Sequence, residues 1–441
     1  MRGKDLPALL GGERICTEPF KPFPRVLGNE RDEVETALHS GDWINGAITR
    51  RFEDQFAAYV GARHAVAVNT GGMALQMALR AVGIKPGDEV LLQVDTCVAD
   101  AFAVFNAGAV PVFADSDPET FMLDWDSVEG TIGPRTKAIV PVHMWGRPEN
   151  MDKAAAIARK HGLIVIDDAC LACGAEWRGK RVGALGRAGV FSFGSMKPFQ
   201  AGGGGAIVTD DEALAEKMRT SRAWGDTVDV LGVSGQDELA WNGRISEILT
   251  AVLLGQLAGY PAHLKTLEEG AARLENMVRE LPGIRVMESD PRITAQAHSQ
   301  FLFKIDEENL GFSQDTLAAA LEAEGIPSVW HSAFEPVTSL SFFDTGRWRT
   351  WAAGHPNHRR LAHNYGRPYP GACRSFHHVG MSIGRNVLCS GRGAIERTAA
   401  VFHRICANAS TLRQWECEHR ATAHCPAETK AQIERARQRL Q

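Results

Sequence analysis

The sequence predicts an α/β protein: a mostly parallel sheet in a three-layer large domain, with a smaller α+β domain at the C-terminal end. Three observations carry that prediction. Between residues 64 and 225 short apolar runs alternate with helical patterns, the alternation of a doubly wound sheet. Most of these runs are apolar at nearly every position, as strands buried on both faces of a parallel sheet are. The chain has 441 residues, 44% apolar and 23% charged, which allows two domains around large cores and excludes a mostly disordered or fibrous chain.

Taken in order, strands are expected at His64–Val68, Glu89–Gln93, Val110–Phe113, Ala138–Val142, Leu163–Ile166, Gly189–Phe193 and Gly205–Val208. Helical patterns lie between them at Gly72–Val82, Val98–Asn106, Met151–Lys160 and Glu212–Arg222. From Arg244 to about Leu281 helical periodicity is interrupted only by Gly255, Gly259 and Pro261, and this segment reads as the connection between domains. A strand at Gln300–Lys304 and helices at Gln314–Glu324 and Ile395–Cys406 belong to the smaller domain. Residues 409–441 are polar and rich in Arg and Glu, with little apolar face, so they form a solvated tail helix or stay disordered. The expected limits are therefore 1–260, 261–408 and a tail from 409.

Charge and composition exclude several function classes. Lys and Arg total 48 against 53 Asp and Glu, a formal net charge of -5, which offers no global attraction to nucleic acid or to an anionic bilayer. No apolar run approaches the ~20 residues of a membrane helix, and no export signal is seen at the N-terminus. A cytoplasmic protein is expected, its nine cysteines free thiols rather than a disulfide framework. Cys170-x-x-Cys173 lacks a second pair at zinc-ribbon spacing, and the Cys417, His419, His424, Cys425 group has unusual spacing. Both read as incidental, as do His355, His358 and His363, and no metal site is expected.

Ligands of doubly wound sheets collect at the carboxyl ends of the strands. After the first strand comes Asn69-Thr70-Gly71-Gly72-Met73, a Gly-rich turn opening a helix whose unpaired N–H groups suit a phosphate. Another strand ends in Asp167-Asp168. One of these carboxylates can pair with a protonated heterocyclic nitrogen, or else cap the next helix. Successive strand residues face opposite sides, so only one of the two can point at such a nitrogen. Ser192, Lys197 and the tract Gly202–Gly205 follow the next strand. A lysine between a buried strand and a glycine tract suits a Schiff base better than a solvated charge. A fourth polar turn, Trp241 to Glu247, precedes the long helix.

In this order, Thr70-Gly71-Gly72, Asp168, Ser192 with Lys197, and Asn242-Gly-Arg-Ile-Ser-Glu247 resemble the fold-type-I pyridoxal-phosphate aminotransferases of keto-sugars and keto-cyclitols, the DegT/DnrJ/StrS family. Further matches run over roughly residues 6 to 260, among them Gly41-Asp-Trp43, Phe52-Glu-Asp-Gln-Phe-Ala-Ala-Tyr59, Pro141-Val-His-Met-Trp-Gly146 and Gly179-Lys-Arg-Val-Gly183. The resemblance implies the fold-type-I transferase fold, Lys197 as the Schiff-base lysine, Asp168 as the pyridinium partner, and Ser192 with Gly71, Gly72 and Met73 as the phosphate site. It also implies that Asn242 reaches the phosphate of a neighbouring subunit in a homodimer, and it puts His143 near the cofactor or in a purely structural role.

The chain departs from the family pattern at the cofactor. Cys97 stands where an aromatic ring usually stacks on the pyridine, and Leu171 where Gln is usual. Gly72 replaces a common Thr, Gly203 the Glu of the glycine tract, and Cys173 a common His. The reaction implied is transfer of an amino group from glutamate or glutamine to a keto-cyclitol or keto-sugar, in secondary-metabolite or sugar biosynthesis. A PLP enzyme of other chemistry, or a PLP-binding regulator without turnover, are the alternatives. The leading segment Leu6 to Arg14 resembles cyclitol aminotransferases and aminohydroxybenzoate synthases, which favours an acceptor without a nucleotide diphosphate. Arg347, Arg349, Arg359 and Arg360 are either a diphosphate clamp or solvated surface charges.

Overall fold

The protein is described by a computed structural model covering residues 5–224, 240–331, 334–353, 355–356 and 358–419. Its large sheet has seven strands, β1 (His64–Val68), β2 (Glu89–Gln93), β3 (Val110–Ala114), β4 (Thr136–Ile139), β5 (Ile164–Asp168), β6 (Ala188–Ser192) and β7 (Gly205–Thr209). They lie in the order β1–β7–β6–β5–β4–β2–β3. From β6 to β3 every neighbouring pair is parallel, and β7 runs antiparallel to both β1 and β6. Only β7 is reversed, so the carboxyl ends of the other six strands share one edge. The fourth strand lies earlier than expected because Pro141 has no N–H to donate to a ladder; Val142 keeps only an isolated bridge to Asp168.

Helices enclose the sheet: α1 (Glu30–Ser40), α2 (Ala47–Val60), α3 (Gly71–Ala81), α4 (Val98–Asn106), α5 (Met151–His161), α6 (Glu212–Arg222) and the long α7 (Glu247–Val278). Their starts are chemically marked. Thr70, Asn150, Asp211 and Ser246 each accept a hydrogen bond from a backbone N–H of the first turn, which satisfies donors that a helix end leaves unpaired. Pro261 sits inside α7 without ending it. Gly255 and Gly259 are points of close approach: a Cβ at Gly255 would lie 2.4 Å from Glu30 Cα, and one at Gly259 2.1 Å from the Leu27 carbonyl. The chain entering α1 lies directly on α7 there, and only glycine leaves it room.

Beyond α7, an antiparallel four-stranded sheet takes the order 284–286, 300–305, 380–384, 330–331. The described residues between 341 and 374, which fall within the range expected for the smaller domain, pack on the edge of the large sheet. Asn364 Oδ1 accepts from the Phe113 N–H at 2.9 Å, and the Tyr365 hydroxyl donates to the Pro111 carbonyl at 2.6 Å. The helix Ala409–His419 buries Leu412, and its Glu416 accepts from the Ser313 N–H and the Thr316 hydroxyl. No helix among the described residues is long and apolar enough to cross a membrane.

Candidate active site

A cavity with about 410 Å³ of empty volume opens at the carboxyl ends of the strands, where doubly wound sheets bind ligands. Each wall comes from a different strand end: Gly71 and Gly72 after β1, Cys97 and Asp100 after β2, Val142 and Met144 after β4, Asp168 and Leu171 at β5, and Ser192 and Lys197 at β6. The topology therefore gathers residues separated by more than a hundred positions. A larger cavity, about 1200 Å³ and lined by residues such as Asp117, Trp125, Arg147 and Arg292, contains none of the expected site residues.

The end of the cavity at the start of α3 is formed by glycine backbone against Ser192. A Cβ at Gly71 would lie 2.5 Å from Ser192 Cβ, so only glycine lets the start of α3 press against the serine. At Gly72 such a Cβ meets nothing within 4 Å. Met73 does not line the cavity, and its N–H is already taken by the Thr70 hydroxyl at 3.0 Å.

The two adjacent carboxylates divide their work as strand geometry dictates. Asp168 faces the cavity, and its Oδ1 accepts the Cys170 N–H at 2.9 Å. Burial pushes its carboxyl above the usual range, opposed by that N–H and by the positive charge of Lys197. Asp167 points the other way. It accepts the Gly183 and Leu185 N–H groups at 2.7 and 2.9 Å and pairs with His143 Nε2. His143 is fully buried, and its Nδ1 accepts the Glu149 N–H at 2.8 Å. It satisfies buried groups behind Asp168 and is not part of the cavity wall.

Lys197 is held by a turn on a rigid base. Phe193 and Phe199 flank it in sequence and pack with each other and with Phe56 at centroid distances of 5.4 to 6.0 Å. Met196, just before the lysine, has φ +73°, a left-handed conformation that costs a side-chain-bearing residue energy and must be held by its surroundings. Arg385 holds it: the guanidinium donates to the Met196 carbonyl and lies 4.4 Å from the centre of the Phe23 ring. Sequence reasoning missed Arg385, which lies 189 residues away with no local motif. It also missed Asp100, a carboxyl on the first turn of α4 inside the cavity.

The remaining expected residues distribute as follows. Cys97 immediately precedes α4 at the cavity wall without capping it through its side chain, and burial raises its thiol. Leu171 closes the wall beside Asp168. Cys173 is buried, and its carbonyl accepts the Tyr260 hydroxyl. Asn242 is exposed outside its own chain's cavity, its Oδ1 accepting Arg244 Nε at 3.2 Å. Arg360 pairs with Glu89, the first residue of β2, at the sheet edge opposite the cavity. Arg347, Arg349 and Arg359 do not line the cavity either. No group of three or more potential metal ligands occurs among the described residues; His424 and Cys425 lie outside them.

The profile of the DegT/DnrJ/EryC1/StrS aminotransferase family matches residues 25–353. The chain belongs to this family. It is 40% identical over 308 residues to GDP-perosamine synthase of Caulobacter vibrioides, covering 69% of this chain and 82% of that one. To L-glutamine:2-deoxy-scyllo-inosose aminotransferase of Streptomyces kanamyceticus it is 34% identical over 371 residues, covering 80% and 86%. The crystal structure of 3-amino-5-hydroxybenzoic acid synthase superposes with a TM-score of 0.77 at 30% identity, covering 89% of this chain and 99% of that one.

This aminotransferase uses pyridoxal 5'-phosphate, and the residues present fit it. Gly71 forms a cradle that a Cβ would fill, next to a serine hydroxyl. Asp168 is a buried carboxyl of the kind a ring nitrogen's positive charge stabilises, and a lysine stands in the same cavity.

Proposed function

We propose that this chain moves an amino group from glutamine or glutamate onto the ketone of a cyclitol or an unactivated keto-sugar, in the cytoplasm and in secondary-metabolite or sugar biosynthesis. One observation carries the reading: Lys197, Asp168, Ser192, Gly71 and Gly72 wall a single cavity. When bound, the cofactor supplies an electron sink that lets the donor's Cα–H bond break heterolytically. Ser192 and the first N–H groups of α3 hold its phosphate. Asp168 keeps positive charge on the ring nitrogen. The Lys197 amine would hold the cofactor and, once freed by the donor, would serve as the base that takes and returns the proton of the donor Cα. The same residues act in reverse on the acceptor ketone.

The preference for an acceptor without a diphosphate draws support from the arginines: Arg360 is engaged at the far edge of the sheet, and among the described residues no arginine lines the cofactor cavity. Asn242 lies exposed outside its own cavity, which suits a residue that serves the phosphate of a second subunit, so the active form is a homodimer with shared sites. The test is spectroscopic. L-glutamine or L-glutamate should bleach the visible absorbance of the purified protein, and a keto-inositol or free keto-hexose should restore it. A spectrum unmoved by either donor refutes amino transfer. Restoration only by a nucleotide-linked keto-sugar refutes the acceptor preference.

A further inference from the structure

Asp100 has no part in the reading so far, yet its carboxyl lies in the cofactor cavity with Asp168 and Lys197. It sits on the first turn of α4, 8% exposed, and its Oδ2 accepts the Thr96 hydroxyl. The ionisable groups facing it are Asp168 from the end of β5, Lys197 from the turn after β6, and the thiols of Cys97 and Cys170. Two carboxylates enclosed with one lysine cannot both carry charge cheaply, because each is desolvated and each repels the other. Their settings differ. Asp168 has a backbone N–H, that of Cys170, as a fixed donor, whereas the only side-chain or backbone donor to Asp100 among the described residues is the Thr96 hydroxyl, a neutral group that can rotate.

We propose that Asp100 is a positioning residue acting through Asp168: it is the neutral member of a carboxyl pair, and its protonation leaves Asp168 as the single negative charge facing the cofactor ring. Burial and the charge of Asp168 act on Asp100 in the same direction, moving its titration up to about 8. Above that pH a second negative charge appears beside the ring and couples to the titration of the bound cofactor. The proposal rests on the aminotransferase reading for the identity of the cofactor.

Two measurements on the purified, cofactor-bearing protein without substrate test it. Infrared difference spectra at pH 6.5 between wild type and Asp100→Asn should show loss of one carbonyl band of a protonated carboxyl, which Asp168→Asn should retain. Titration of the visible absorbance between pH 6 and 10 should resolve two interacting steps in wild type and one in Asp100→Asn. Asn keeps an acceptor for Thr96 and mimics the neutral acid, so its spectrum at pH 6.5 should match wild type, while Asp100→Ala, which removes that acceptor, should shift it. A protonated band unchanged in Asp100→Asn, or the same number of titration steps in both proteins, overturns the pairing and leaves the amino-transfer reading intact. A protein with no visible absorbance at all removes the reading on which the pairing depends.

Discussion

Asp167 and Asp168 are neighbours with opposite surroundings, so removing each should have opposite consequences. Asp167→Ala deletes the acceptor of two backbone N–H groups, one buried and one half-buried, at 2.7 and 2.9 Å, and the partner of a fully buried histidine. Hydrogen bonds to a charged group contribute about 1.5–3 kcal/mol each, and the orphaned donors stay wholly or partly buried, so the loss should be roughly 4 kcal/mol after partial relaxation. Asp168→Ala deletes the bond from Cys170 N–H and a weak one from the Cys170 thiol, and also relieves a carboxyl that burial disfavours in its charged form, so the change should stay within about 1 kcal/mol. The assay is urea unfolding of the cofactor-free proteins by tryptophan fluorescence, because bound cofactor would add its own stabilisation. With m near 3 kcal/mol/M, Asp167→Ala should lower the midpoint by roughly 1.3 M. Turnover should follow the reverse order, with Asp168→Asn losing most activity while keeping the fold. If Asp168→Ala proves the more destabilising, or Asp167→Asn the more damaging to turnover, the strand register assigned here is wrong.

Borohydride reduction followed by peptide mapping should put the pyridoxyl group on Lys197, and a label on any other lysine would refute that assignment. Gly71→Ala should lower cofactor affinity at least tenfold and cost about 1–3 kcal/mol, because its Cβ would lie 2.5 Å from Ser192 Cβ. Gly72→Thr, open on that side, should bind cofactor at near wild-type affinity. Mixing inactive Lys197→Ala with inactive Asn242→Asp chains should restore activity through hybrid dimers; no recovery despite demonstrated subunit exchange would argue against shared sites. Glu247 accepts the Gly46, Ile48 and Thr49 N–H groups at the start of α2, so Glu247→Ala should cost about 3 kcal/mol in urea unfolding, and a cost below about 1 kcal/mol would show that α2 does not depend on it.

What local chemistry could report, the sequence reported. The limits of β1, β2, α4 and α6 coincide with the expected ones, because apolar continuity marks a buried strand and local periodicity marks a helix whatever they pack against, with a capping Asp211 also marking the start of α6. The placement of Lys197, Asp168 and Ser192 at strand ends singles them out in the sequence, because strand ends are where a doubly wound sheet gathers its ligands, and the fold brings the three into one cavity.

What the linear order withholds is which distant residue completes each local feature. Gly255 and Gly259 read as interruptions of a helix, and the fold turns them into the surface on which the N-terminal segment lies. Glu247 read as part of a polar turn and is buried as the anchor of α2. Arg385 carries no motif, yet it holds the strained carbonyl before Lys197. Asp100 read as one more residue on a helix until the sheet brought it into the cavity of Asp168. The sequence determined the elements and the chemistry at their ends, since both depend on neighbours within a few positions. Only the tertiary structure decided which charges are enclosed together, because burial and mutual repulsion depend on distances in space that chain order does not encode.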